Sequence, residues 1–179
     1  MFARYVAAAL MLLAVSSPAF AQKENLQIFR EVQREVLRYS HFTIFDSVNA
    51  QVEDGVVTLT GKVTMPYKRA DIERRVNRLR GIREVHNRID VLPVSQFDDE
   101  LRYRIARAIY SNPHFAGYGS MVNPPIHIIV ERGRVTLEGV VNSNVDRMLV
   151  RSIATSFNAF EVKNELKTDQ EVKELLEKL

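Results

Sequence analysis

The sequence predicts an α+β fold made of two tandem two-layer α/β sandwiches. Three observations carry that expectation. A nine-residue strand pattern occurs twice, as Gly55-Val-Val-Thr-Leu-Thr-Gly-Lys-Val63 and as Gly133-Arg-Val-Thr-Leu-Glu-Gly-Val-Val141. The segments around the two copies match at nearly constant spacing. Each copy also lies between stretches with the apolar periodicity of helices. Helix, strand, strand, helix, strand, read twice, makes two αββαβ units, each a small three-stranded mixed sheet packed by two helices.

The first helix is predicted over Asn25 to Tyr39, where Ile28, Val32 and Val36 stand four apart and Arg30, Arg34 and Arg38 fall on another face. Val48 to Val52 alternates as a first strand. Asp54-Gly55 is a two-residue hairpin signal. In the strand that follows, Val57, Leu59, Gly61 and Val63 share one face and Thr58, Thr60 and Lys62 the other. Glycine at that inward position implies close approach of a helix or a bulge. Pro66 opens a second helix, expected to reach about Arg80 with Ile72, Val76 and Leu79 buried, and Gly81 stops it. Val85 to Val91 is the third strand. Asn87 alternates in phase with Val85, which points its amide inward toward backbone partners. Three strands are marginal alone, so a helix layer must cover their apolar face.

The second unit repeats this order. Leu101, Ile105 and Ile109 match Ile28, Val32 and Val36 at an offset of 73, and His114-Phe115 matches His41-Phe42. The offset is 78 at the central strand, which places a five-residue insertion within Ala116 to Pro125. A helix over Asn144 to Asn158 follows, and Val162, Asn164 and Leu166 match Val85, Asn87 and Ile89 at offset 77. The expected division is a leader over 1–21, a first domain over 22–92, a linker over 93–97, a second domain over 98–168 and a C-terminal amphipathic helix over 169–179. In that last helix Val172, Leu175, Leu176 and Leu179 share a face, and a helix so short must dock on a domain or a partner.

The start carries a targeting pattern. Arg4 precedes an apolar run from Tyr5 to Val15, and Ala19-Phe20-Ala21 presents small residues where a signal peptidase cuts. Cleavage is expected after Ala21, with export of the mature chain. Ser16-Ser17-Pro18 interrupts the run too early for a spanning helix. The chain has no cysteine, which excludes disulfides, cysteine metal sites and a lipid anchor on cysteine. The formal charge of +3 and pI near 9.3 suit an anionic surface as partner.

Nothing in the sequence spells out catalysis. His41, His86, His114 and His127 lack a second ligand at zinc spacing, and neither a Gly-x-Ser-x-Gly elbow nor a phosphate-binding or dinucleotide loop is present. Asp98 and Asp99 sit where a helix begins and suit its dipole. No catalytic residue, metal or cofactor is expected.

The repeat resembles the BON domain, found in bacterial envelope proteins. The likeness rests on Val-Thr-Leu-x-Gly-x-Val, the helix after it, and Gly81-Ile-Arg-Glu-Val85-His-Asn87-Arg-Ile89. The second copy reads Ala159-Phe160-Glu-Val162-Lys-Asn164-Glu-Leu166, with alanine for glycine and one residue fewer. The resemblance implies a periplasmic protein with a role in phospholipid binding or envelope maintenance, and it carries over no catalytic residues.

The candidate surfaces come from comparing the two second helices. Beside the shared core stripe the first copy carries Asp71 and Arg75. The second has Leu149 and Ile153 there, with Val145 one turn earlier. Such a strip either packs on the other domain or the C-terminal tail, or meets lipid or a partner. The first copy's helix is basic, with Lys68, Arg69, Arg74, Arg75 and Arg78, which is either a solvated face or an attraction to anionic headgroups. Tyr118 and Met121 in the inserted loop complete the candidate set. The expected function is non-enzymatic contact with anionic phospholipid or a membrane surface in support of envelope integrity. The alternative is a chaperone-like module for envelope proteins or unfolded polypeptides. Nucleic acid is not an expected partner, since there is no aromatic stacking motif or Gly-x-x-Gly clamp.

Overall fold

The computed structural model describes residues 18–177. The apolar run of the expected leader lies outside them. The described chain begins in α1 (Pro18–Leu37), so helix already occupies 18–21. β1 (Ser47–Glu53) and β2 (Val56–Val63) form an antiparallel hairpin, and α2 (Pro66–Val76) leads to β3 (Glu84–Val91), which lies parallel to β2. The sheet order is β1-β2-β3, so the central strand is the one with the repeated pattern. The second unit runs α3 (Gln96–Tyr110), a 3-10 turn (Pro113–Phe115), α4 (Ala116–Gly119), β4 (Ile126–Glu131), β5 (Arg134–Val141), α5 (Asn144–Thr155) and β6 (Glu161–Asn164). β4 is antiparallel and β6 parallel to β5, as in the first unit. A short β7 (Lys167–Thr168) continues the pairing along β5.

Local chemistry explains the shared geometry. Both hairpins turn through two left-handed residues, Asp54-Gly55 and Arg132-Gly133, as a tight turn between twisted strands requires. Arg132 is an unusual choice for that conformation. It is held there by the buried Asp98 carboxylate, which accepts from the Arg132 and Gly133 amides at 2.8 and 2.7 Å. Asp98 therefore does more than favour a helix start. Gly61 and Gly139 sit at φ of 118° and 115°, and a methyl on either would collide with the backbone carbonyl of Ser47 or Pro125. The glycine is demanded by the neighbouring strand rather than by a helix.

Both second helices end earlier than expected. After Val76 the amides of Arg78 and Leu79 bond three residues back, and Ser156 and Phe157 do the same after Thr155. Gly81 then exits at φ 80° and Asn158 at φ 54°. Asn158, not Ala159, thus occupies the glycine position in the second copy, and asparagine is the side chain that best tolerates this region.

Each unit has its own core. Ile28, Val32, Val36, Leu59, Ile72 and Ile89 are buried in the first. Leu101, Ile105, Ile109, Leu137, Val150 and Leu166 hold the matching places in the second. Phe115 is buried in the second core where its counterpart Phe42 is half-buried in the first, and Tyr118 stacks on it at 5.8 Å between ring centres. The C-terminal helix α6 (Asp169–Glu177) docks on the second unit beside β5 and β7. It opens with a reciprocal cap, Glu171 N–H to Thr168 Oγ1 and Thr168 N–H to Glu171 Oε2, and Glu171 also receives both bonds from Arg147.

The units meet through the loop before β1. The amide of Ile128 on β4 donates to the Ile44 carbonyl at 2.7 Å. Ile44 and Phe45 pack against the second core, and Phe45 meets Tyr103 edge-on at 4.9 Å. His127 Nδ1 lies 2.6 Å from the Asp46 carbonyl, and Ser47 Oγ donates to Glu138 at 2.6 Å. The contact is head-to-tail, since the two units present different surfaces to it. The positions matching His127 and Ile129 in the first copy are Asn49 and Gln51, both exposed.

Candidate functional site

Lys68 is not on the basic surface. It is only 4% exposed, and its ammonium lies 2.6 Å from Asp46 Oδ2 and 2.7 Å from Thr64 Oγ1. Pro66 starts α2 so that its third residue faces the loop before β1. Asp46 is fully buried and also accepts from the amide and hydroxyl of both Thr43 and Thr64. Burial pushes the Asp46 carboxyl up, but the hydrogen bonds from Lys68, Thr64 and Thr43 outweigh it and hold it below its ordinary value. A cation engaged this way is unavailable to a headgroup, which removes Lys68 from the candidate set.

The arginines of α2 divide. Arg75 pairs with Glu35 at 2.8 Å and stacks over Tyr39. Arg74 pairs with Asp71 at 2.8 Å, and Tyr39 donates to Asp71 at 2.8 Å. These bonds form the polar seam between α1 and α2. Arg69 is exposed and reaches the Asn87 carbonyl only at 3.4 Å. Arg78 is exposed on the turn after the helix. With Tyr39, Asp71, Arg74 and Arg75 it lines a shallow cavity of about 330 Å³. The outward positive charge therefore comes mainly from Arg69, Arg78 and Arg80.

The apolar strip of α5 is rolled inward. Leu149 and Ile153 are half-buried and pack on the second core, filling the seam that Asp71 and Arg75 fill with polar contacts in the first copy. Val145 stays outside at 68% exposure, joined by Met148 at 71%. Met148 was missed from sequence, although its spacing of three from Val145 puts both on one face.

The inserted loop faces the N-terminal end of α5. Tyr118 is half-buried, and its hydroxyl accepts from the Asn142 amide at 3.0 Å. His114 Nε2 lies 2.7 Å from Asp146 Oδ1, and Ser143 Oγ caps α5 by accepting from the Asp146 amide. Burial pushes the Asp146 carboxyl up, while the bonds to His114 and Ser143 bring it below its ordinary value. Met121 lines the same cavity of about 460 Å³ with His114, Tyr118, Asn142, Ser143 and Asp146. The cavity is open, and its polar groups bond to one another. Met121 and the next residue in the loop, Val122, are both exposed. Among the described residues, no group of three or more His, Asp or Glu side chains is placed to hold a metal ion.

A second exposed apolar site was also unseen in the sequence. Phe97 at 57% and Phe160 at 80% exposure flank Gly133 at the hairpin tip. They lie 63 residues apart, so only the fold brings them together.

The inward asparagines are structural. Asn87 Nδ2 donates to the Arg69 carbonyl and Asn164 Nδ2 to the Arg147 carbonyl, positions that match between copies. Each Oδ1 accepts from the amide two residues on, of Ile89 and Leu166. The side chain ties the third strand to the second helix and occupies part of the sheet edge. Among the described residues, no helix is long and apolar enough to cross a membrane.

No curated protein matches the chain. Two solved structures of CdsD, a structural protein of the type III secretion system of Chlamydia trachomatis, align with it. One, of the C-terminal domain, has 15% identity, a TM-score of 0.32, and covers 79% of this chain and 65% of its own. The other has 14% identity, a TM-score of 0.30, and covers 84% and 67%. The BON domain profile matches twice, over residues 26–93 and 98–170, which are the two αββαβ units just described. The chain belongs to the BON domain family, with two domains in tandem.

Proposed function

We propose that this is an exported, non-enzymatic envelope protein that contacts anionic phospholipid through the surface formed by the first turns of α5 and the inserted loop. The family is associated with phospholipid binding and with envelope proteins. The observation that carries the reading is the exposure of Val145 and Met148, on a helix whose inner face is already packed and whose N-terminal end shares a cavity with Met121 of the inserted loop. Burying such side chains in an acyl boundary is worth roughly 1 to 2 kcal/mol each. Arg69, Arg78 and Arg80, exposed on the first domain, add a general attraction to an anionic surface that salt weakens. The sum gives weak and reversible attachment. Candidates Leu149 and Ile153 support the surface from below, and Tyr118 props the loop.

Co-sedimentation with phosphatidylglycerol vesicles, against phosphatidylcholine vesicles, tests this. Binding should require the anionic lipid and weaken with salt. Val145→Asp with Met148→Asp should lower it at least about tenfold without changing Tm, because both side chains are outside the core. Absence of binding at low salt, or binding untouched by the double variant, refutes the reading. The second reading, a chaperone-like module, draws on the exposed Phe97 and Phe160. Suppression of client aggregation without vesicle binding selects it.

A further inference from the structure

The joint between the domains holds most of its titratable contacts on one side. The loop Thr43–Asp46 belongs mechanically to the first domain. The Asp46 carboxylate binds Thr43, Thr64 and Lys68, and those bonds keep it ionised into acid. The contacts of the loop and its neighbours with the second domain are of another kind. His127 of β4 meets the Asp46 carbonyl and lies against Phe42, with ring centres 5.4 Å apart. Glu138 of β5 accepts from Ser47, and Glu131 of β4 pairs with Lys62 of β2. Acid therefore acts on this contact by charging an imidazole that is held against Phe42 and the Asp46 carbonyl.

We propose that the joint is an acid-operated latch. On acidification the Thr43–Asp46 loop withdraws from the second domain while both domains keep their folds, exposing Ile44, Phe45 and their seat beside Tyr103. The charged groups facing His127 are Glu138 from β5 and, through its carbonyl and its nearby carboxylate, Asp46 from the loop. Burial depresses His127 below the usual histidine value of 6.5, although the Asp46 carbonyl and Glu138 act in the opposite direction. With the closed-state value depressed, the neutral ring favours the closed joint. That contribution is full above 6.5 and declines as pH falls below it toward the closed-state value.

Small-angle scattering, dye binding to apolar surface and far-ultraviolet circular dichroism, followed from about pH 7 to about pH 4, test the latch. Expansion and dye binding should appear with the dichroism unchanged. His127→Gln keeps an N–H donor for the Asp46 carbonyl but cannot titrate, and should move the midpoint down by about one pH unit. The His127 ring resonance in the unmodified protein should titrate at the same midpoint as the expansion, a measurement independent of how any variant folds. An unmoved midpoint in His127→Gln, loss of dichroism together with the expansion, or no expansion at all overturns the proposal.

Discussion

Replacing Lys68 with methionine separates a buried ion pair from a headgroup contact. Methionine keeps most of the length and removes the charge. Asp46 would then be a fully buried carboxylate with its cation gone and four donors left, two each from Thr43 and Thr64 at 2.8 to 2.9 Å. Removing one partner of a buried pair costs about 3 to 5 kcal/mol. The four remaining donors place the expectation near the low end, at about 3 kcal/mol. For a chain of this size that is on the order of a 10 °C drop in Tm. Urea denaturation at several pH values is the assay. In the unmodified protein the Asp46 carboxyl lies below its ordinary 3.8, so its contribution is full above 3.8 and vanishes as pH falls through the folded-state value. In Lys68→Met the effect of burial loses its main counterweight, the folded-state value rises, and the deficit should shrink as the medium is acidified. Adding Asp46→Asn should recover part of the loss. A loss below about 1 kcal/mol, or reduced vesicle binding at unchanged stability, would refute the argument and return Lys68 to the surface.

Gly139→Ala should cost at least about 3 kcal/mol in denaturant, since it combines strain at positive φ with a backbone collision. Gly117→Ala, where nothing lies within 4 Å of the added carbon, should be neutral or stabilise by roughly 0.4 to 1 kcal/mol. Asn164→Ala leaves the Arg147 carbonyl and the Leu166 amide without this partner. It should cost about 1 to 3 kcal/mol and speed hydrogen exchange at Leu166. Thr168→Ala removes the reciprocal cap and should fray α6 at about 1 kcal/mol, seen as lost helical dichroism with the sheet signals intact.

Much of the fold was legible because it is written at short range. Alternation around Val57 and Leu59, paired turn residues at 54–55 and 132–133, and apolar spacing of four in α1 and α3 each report on a few neighbouring side chains. Duplication doubled every such signal and exposed the insertion after Phe115. It also marked Asn87 and Asn164 as a common structural device. The candidate surface was only half legible. The helical wheel placed Leu149, Ile153 and Val145 on one strip, but a wheel has no depth. A rotation of a few tens of degrees against the core decided that the first two are covered and that Val145 and Met148 face out.

The chain by itself determined the two αββαβ units, their hairpins and the position of the insertion, because periodicity and turn chemistry act between residues close in sequence. Tertiary structure alone decided that Lys68 is an internal cation, that Arg75 belongs to Glu35, that Phe97 and Phe160 both flank Gly133, and that the loop before β1 joins one domain to the next. The partners in those contacts stand 22 to 91 positions apart. A charge or an aromatic ring reads the same in sequence whether water or protein surrounds it, and only the packing of distant segments sets which of the two it meets.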